Sequence, residues 1–163
     1  MKIAIGLALS CICIQQQIQA QDIHAKQLVS NLFGKFEWQM KKPSVDKIIR
    51  KGTRVSEPYF DGTMLFFKET FFDSNIEQVG FFGYDAKNKT IFSIGLYNVD
   101  IGPHVLKGTL KKESQGYSVR FFEGDKQIVL QVENEGYHYW EYYSKQGKVW
   151  SKDDLQIDFY RQH

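Results

Sequence analysis

Cysteine is almost missing from this chain: the only two, Cys11 and Cys13, fall at its start in a sequence of 163 residues. Beyond them there is no thiolate nucleophile, no disulfide and no cysteine-ligated metal to build from. Proline is scarce as well, with 3 residues against 15% aromatics, which excludes a Pro-rich linker and favours a folded body. Charge of one sign is also lacking, since 21 basic and 19 acidic residues leave a net +2. A binder of the phosphate backbone concentrates Lys and Arg on one face. The basic runs KFEWQMKK from Lys35 and KGTLKK from Lys107 are broken by apolar residues at strand spacing. They read as solvated outer faces, and no nucleic-acid partner is expected. No apolar run reaches the length of about 18 residues that a membrane-crossing helix needs.

What is present begins with an export signal. Lys2 supplies a short basic region, Ile3 to Ile14 an apolar run, and Gln15 to Gln19 a polar one that ends in the small residue Ala20. This order predicts a signal peptide over residues 1–20, cleaved after Ala20, and a secreted or periplasmic domain over 21–163. The rival is a lipoprotein box, Leu7-Ala8-Leu9-Ser10-Cys11, with lipid on Cys11; it leaves a very short apolar core and places Ala8 where a larger aliphatic residue is usual. With the cut after Ala20 the exported chain has no cysteine, and its stability rests on its core.

From Asp22 to Leu32, Ile23, Ala25, Leu28, Val29 and Leu32 recur at helical spacing, and Gly34 is a suitable stop. No later segment keeps that period. The predicted strands are Lys35–Met40, Lys47–Glu57, Thr63–Phe72, Glu77–Tyr84, Thr90–Tyr97, His104–Lys111, Tyr117–Glu123, Lys126–Val132, Tyr137–Tyr143 and Leu155–Arg161. Short Gly-, Asn- and Asp-bearing turns separate them, so neighbours must run antiparallel. Ten such strands make an up-and-down meander, and closure removes its two aggregation-prone edges. The expected fold class is therefore all-β, a closed antiparallel barrel of about ten strands with one short amino-terminal helix. Alternation supports it: His104, Leu106, Gly108 and Leu110 share a face, as do Ile128, Leu130 and Val132, with Val129 the exception. In GFFGYDAKNKTIFSIGLYN the alternation fails, because Phe81 and Phe82, like Ile91 and Phe92, point to opposite faces. One set would line the interior and the other would pack under the helix; a two-sheet sandwich would also account for it.

The order of motifs — LVSNLFGKFEW closing the helix, FFGYDAKNKT, the glycine-bearing HVLKGTL and a last strand ending DFYRQ — resembles a family of secreted bacterial lipocalin-like barrels of unknown function. It is similar more broadly to the calycin barrels, which include lipocalins and fatty-acid-binding proteins. That resemblance implies a closed barrel with a ligand-holding interior. It also implies a latch in which an Arg on the last strand lies over an aromatic on the first. Here Gly34-Lys35-Phe36 puts Phe36 where the pattern has Trp, with Trp38 two residues on, so the latch would join Arg161 to Trp38 or be absent. The related haem-binding nitrobindins use a late-strand histidine, for which His138 is the only candidate, but their glycine-rich opening motif is absent.

No nucleophile–base–orienter set can be read. His24 is expected to face solvent and His163 is terminal, leaving His104 and His138. They would serve as a metal, haem or acid–base pair, or, more plainly, as hydrogen-bonded imidazoles in the wall. The motifs specify no cofactor and no metal site. In YHYWEYY, inward-facing His138, Trp140 and Tyr142 would suit a small amphipathic ligand, while outward-facing rings would form a platform for a glycan or a protein. The expected ligand contacts are Trp38, Phe66, Tyr84, His104, His138, Trp140 and Tyr142. Arg50, Arg54 and Arg120 could each pair with a ligand carboxylate inside the barrel, but all three are read as surface charges. The leading expectation is an exported, non-enzymatic barrel holding a small, largely apolar molecule. The alternatives are an exposed aromatic binding face and a barrel-mouth enzyme with His104 or His138 as general base.

Overall fold

A computed structural model describes residues 20–99, 102–134 and 136–162. The predicted signal segment up to Gln19, with Cys11 and Cys13, lies outside the described residues, as do Asp100, Ile101, Glu135 and His163. A helix, α1, spans 20–31. Ten strands follow: β1 Gly34–Lys42, β2 Lys47–Tyr59, β3 Met64–Phe71, β4 Glu77–Asp85, β5 Thr90–Tyr97, β6 His104–Glu113, β7 Gly116–Glu123, β8 Lys126–Glu133, β9 His138–Gln146 and β10 Val149–Arg161. A single 3-10 turn, Pro43–Val45, joins β1 to β2. No helix among the described residues is long and apolar enough to cross a membrane.

Each strand pairs antiparallel with its neighbour in the chain, and β1 closes the circle on β10. The closing register sets Phe36 against Arg161, Trp38 against Phe159 and Met40 against Ile157. The sandwich alternative is thereby excluded. Period-two side chains then sort cleanly. Phe36 and Trp38, Leu65 and Phe67, Phe82, Ile91, Leu106, Val119 and Phe121, Ile128, Leu130 and Val132, Trp140, and Phe159 form one buried core. Gly52 is required by this packing: a Cβ there would strike the Thr70 carbonyl oxygen and the Trp38 ring.

The helix does not cover an outer face. Its apolar stripe of Ala25, Leu28, Val29 and Leu32 joins the barrel core, and its polar anchors lie on strand ends at one rim. Asp22 accepts hydrogen bonds from the Tyr84 hydroxyl and Lys89 Nζ, both at 2.9 Å. Tyr117 donates to Gln27 at 2.9 Å, and Arg161 Nη2 to the Asn31 carbonyl at 2.8 Å. α1 is a plug in one end of the barrel. The expectation that the outward set from GFFGYD packs beneath it is therefore corrected. Outward Phe81 sits instead among Phe66, at 5.5 Å, and Tyr59, at 5.8 Å, on the outer surface. The inward set, Phe82 and Ile91, faces the core under the helix. His24 is also corrected: it is half-buried beside the Tyr117 ring at 5.9 Å, with its Nδ1 buried.

Val129 breaks the alternation for a different reason. It faces outward yet is only 5% exposed, because it lies in an outer hollow among Phe122, Tyr143 and Trp150, the last carried there by the β9–β10 hairpin. Lys145 N donates to the Asp125 carbonyl at 2.9 Å, and Trp150 reaches Phe122 at 6.0 Å.

Candidate functional site

One half of the interior is filled and the other is not. At the helix end, Phe36, Ile91, Val119, Phe121, Leu130 and Val132 are all but completely buried. At the opposite end a cavity of about 160 Å³ is left between Trp38, Met40, Phe71, Leu106, Trp140 and Phe159, and it reaches His104 at the rim. The walls are flat aromatic surfaces. Trp38 meets Phe71 edge to face at 4.7 Å, and Trp140 stacks on Phe121 with 5.7 Å between centroids. Such walls give an apolar body to a pocket whose orientation is fixed by a few polar groups.

Those polar groups are chiefly ones that the strand patterns did not single out. Arg54 on β2, expected on the surface, points inward: it is the cross-strand partner of Glu69 on β3. Its Nε lies 2.5 Å from Glu69 Oε1, and Nη2 contacts the same oxygen. The guanidinium is held between the rings of Phe159, at 4.2 Å, and Phe67, at 4.8 Å. Arg54 and Glu69 are 12% and 7% exposed, a buried ion pair inside the barrel. Gln78, Ser93, Tyr97 and Tyr142 complete the polar lining. Burial raises the phenols of Tyr97 and Tyr142 above their ordinary range, with the Glu69 charge adding to the rise. Both therefore stay protonated as hydrogen-bond donors at neutral pH. Arg50 and Arg120 are exposed. The signal for Glu69 was its phase, a carboxylate in step with Leu65, Phe67 and Phe71.

Of the expected contacts, Trp38, His104, Trp140 and Tyr142 line the cavity. Phe66 does not, because its parity turns it outward onto Phe81. Tyr84 faces inward but belongs to the plugged end, where it is bonded to Asp22. His138 is fully buried behind the wall. It stacks on Phe159 at 4.5 Å and meets the edge of Phe36 at 4.8 Å. Its Nδ1 is 3.1 Å from the Gly136 carbonyl, so that nitrogen carries the proton and donates, while Nε2 is buried without a partner among the described residues. Desolvation foremost, and then the positive charge of Arg54, lower its pKa to about 3 despite that hydrogen bond. The imidazole is neutral at ordinary pH and touches no carboxylate of the described residues. His104 Nε2, at the mouth, lies 3.4 Å from Glu123 Oε2.

At the base, the Arg161 guanidinium lies 5.1 Å over the Phe36 ring while its Nη2 serves the Asn31 carbonyl. It thus supplies a donor and a positive charge to the carboxyl end of α1, where helix carbonyls lack partners. Trp38, two residues on, faces the cavity and donates its Nε1–H to the Thr53 carbonyl at 3.3 Å. Gly136 makes room for the arginine: its φ is +85°, and a Cβ there would collide with the guanidinium.

Trp140 is 8% exposed and faces inward, so it is not part of an outer aromatic row. Its outward neighbours Tyr137 and Tyr139 are tilted by 39° to one another, and the Tyr137 hydroxyl is engaged with buried Asp158 at 2.7 Å.

The fold and site define a class: a closed ten-stranded antiparallel β-barrel, plugged at one end by a short helix and hollow at the other. No protein-family model matches the chain, and no curated protein matches it.

Proposed function

We propose that the protein is an exported lipocalin-like barrel that holds a small, largely apolar molecule in its interior and performs no chemistry on it. The observation that carries this reading is the half-empty interior, a cavity of about 160 Å³ with Trp38, Phe71, Trp140 and Phe159 as walls and a cluster of polar tips beside them. Its binding force would be the burial of apolar surface, with orientation set by one or two hydrogen bonds. Export fits the same picture, because the side-chain anchors of α1 at Asp22, Gln27 and Asn31 all come after a cut at Ala20. The calycin likeness supports it at the level of architecture: helix, closed barrel and an arginine over a first-strand aromatic. Fold alone does not carry function, so the weight rests on the cavity.

The test is native mass spectrometry of protein purified from its own host's envelope, with an absorbance spectrum of the same sample to detect haem. A retained small molecule that is lost when Leu106→Trp fills the cavity supports the reading. Bare protein whose tryptophan fluorescence does not respond to any apolar probe ends it. A second reading, a barrel-mouth enzyme, is favoured by one observation, the 3.4 Å approach of His104 to Glu123 at the rim. It requires turnover of the retained molecule that His104→Ala abolishes while retention persists.

A further inference from the structure

Among the described residues, Arg54 and Glu69 are the only Lys, Arg, Asp or Glu that line the cavity, and they neutralise each other directly across the β2–β3 register. We infer that the cavity selects a neutral, planar aromatic molecule of one or two rings bearing a hydroxyl or carbonyl group, and rejects carboxylates such as fatty acids. This inference rests on the interior-binding reading above and narrows it.

An anionic guest would add a second negative charge beside a guanidinium that Glu69 already neutralises, leaving one buried carboxylate without a counter-charge. A cationic guest would strand Arg54 in the same way. The arginine is also immobilised between the Phe67 and Phe159 rings, so it cannot swing out to meet a second anion without giving up both faces. A neutral guest leaves the pair intact. Its polar group would meet Gln78, Ser93, Tyr97 and Tyr142, none of whose side chains makes a hydrogen bond within the protein among the described residues. The raised phenols of Tyr97 and Tyr142 keep their protons and suit a carbonyl or hydroxyl acceptor. The flat faces of Trp38 and Trp140 suit a ring. The volume of about 160 Å³ is on the scale of apolar cavities that take up a benzene-sized molecule, and is short for an extended acyl chain.

The probes are a matched pair, 2-naphthol and 2-naphthoate, titrated calorimetrically into the full exported chain at pH 7. The naphthol should bind at least about tenfold more tightly than the naphthoate. Glu69→Gln, which frees the guanidinium, should close that gap by favouring the naphthoate, and Leu106→Trp should abolish binding of the naphthol. If the naphthoate binds wild type as tightly as the naphthol or more so, the inference falls and interior binding stands. If neither binds at about 1 mM, both fall. Naphthol binding that Leu106→Trp leaves unchanged places the guest outside the cavity and also overturns the inference. Should Glu69→Gln fail to fold, the wild-type pair decides alone.

Discussion

Two buried side chains, Glu69 and His138, carry the sharpest consequences at the scale of single residues. Glu69 is 7% exposed and held by Arg54. Removing one member of a buried pair strands the other, at a cost of about 3–5 kcal/mol. Glu69→Leu alone should therefore destabilise strongly in urea titrations, whereas Arg54→Met with Glu69→Leu should recover most of the loss; equal stability of the single and double variants would refute a coupled pair. His138 gives a pH dependence. Its folded pKa of about 3 lies below the ordinary 6.5, so below pH 6.5 the unfolded chain binds a proton that the folded one refuses. Stability from this group is complete above pH 6.5 and falls toward pH 3 by up to about 1.4 kcal/mol per pH unit. Replacing His138 with Phe should flatten that slope, measured as urea midpoints across the same range. Of the two, only the hydrogen-bonded imidazole of His138 was legible beforehand, and then only in part. Parity placed His138 among inward residues, but only its stacking on Phe159 shows that it sits behind the wall. Arg54 was read from charge, because its exposed neighbour Arg50 shares its parity and nothing in the sequence separates the two.

At the scale of elements, α1 decides which end of the barrel is shut. Its carboxyl end is held by Arg161, and its apolar stripe is seated on the core. Leu28 is 0% exposed, and Leu28→Ala should cost about 2–5 kcal/mol. Arg161→Gln keeps a donor but loses the charge at the helix end and the stack on Phe36. It should speed amide hydrogen exchange in α1 while leaving β6–β8 protected, whereas uniform loss of protection would mean that helix and barrel unfold as one. Elements are also where the sequence was most readable. Thr90–Tyr97 coincides with β5, since Gly, Asn and Asp in short turns announce hairpins through their tolerance of positive φ. The clear miss is β10, which begins at Val149 rather than Leu155. Ser151-Lys152-Asp153-Asp154 looks like a loop by charge. Its first part is nevertheless hairpin, pairing Ser151 with Ser144 and Lys152 with Tyr143, and a register shift between Lys152 and Gln156 sets it apart from the rest of the strand. Where the helix packs was not readable either, because an amphipathic stripe predicts burial and not the surface that provides it.

For the whole molecule, closure is the property on which everything else depends. Nine of the ten pairings join strands that are neighbours in the chain, and the tenth joins its two ends, Phe36 to Arg161. Local hairpins form early and at little entropic cost, but that last pairing must close a loop of almost the whole domain. Refolding should accordingly be slow for the chain's size, with hairpin signals preceding protection of β1 and β10. The same geometry makes β10 indispensable. Deleting residues 155–163 would remove the partner of β1, the Phe159 face of the Arg54 stack and the Arg161 tie to α1 together. Two strand edges, β1 and β9, would then present unpaired backbone groups beside the exposed indole of Trp38, which is the template that closed barrels avoid. The truncated chain should therefore aggregate rather than settle as a nine-stranded barrel. Size-exclusion chromatography after refolding checks this directly: a soluble monomer with the thermal midpoint of the full chain would show that closure is not what stabilises the fold.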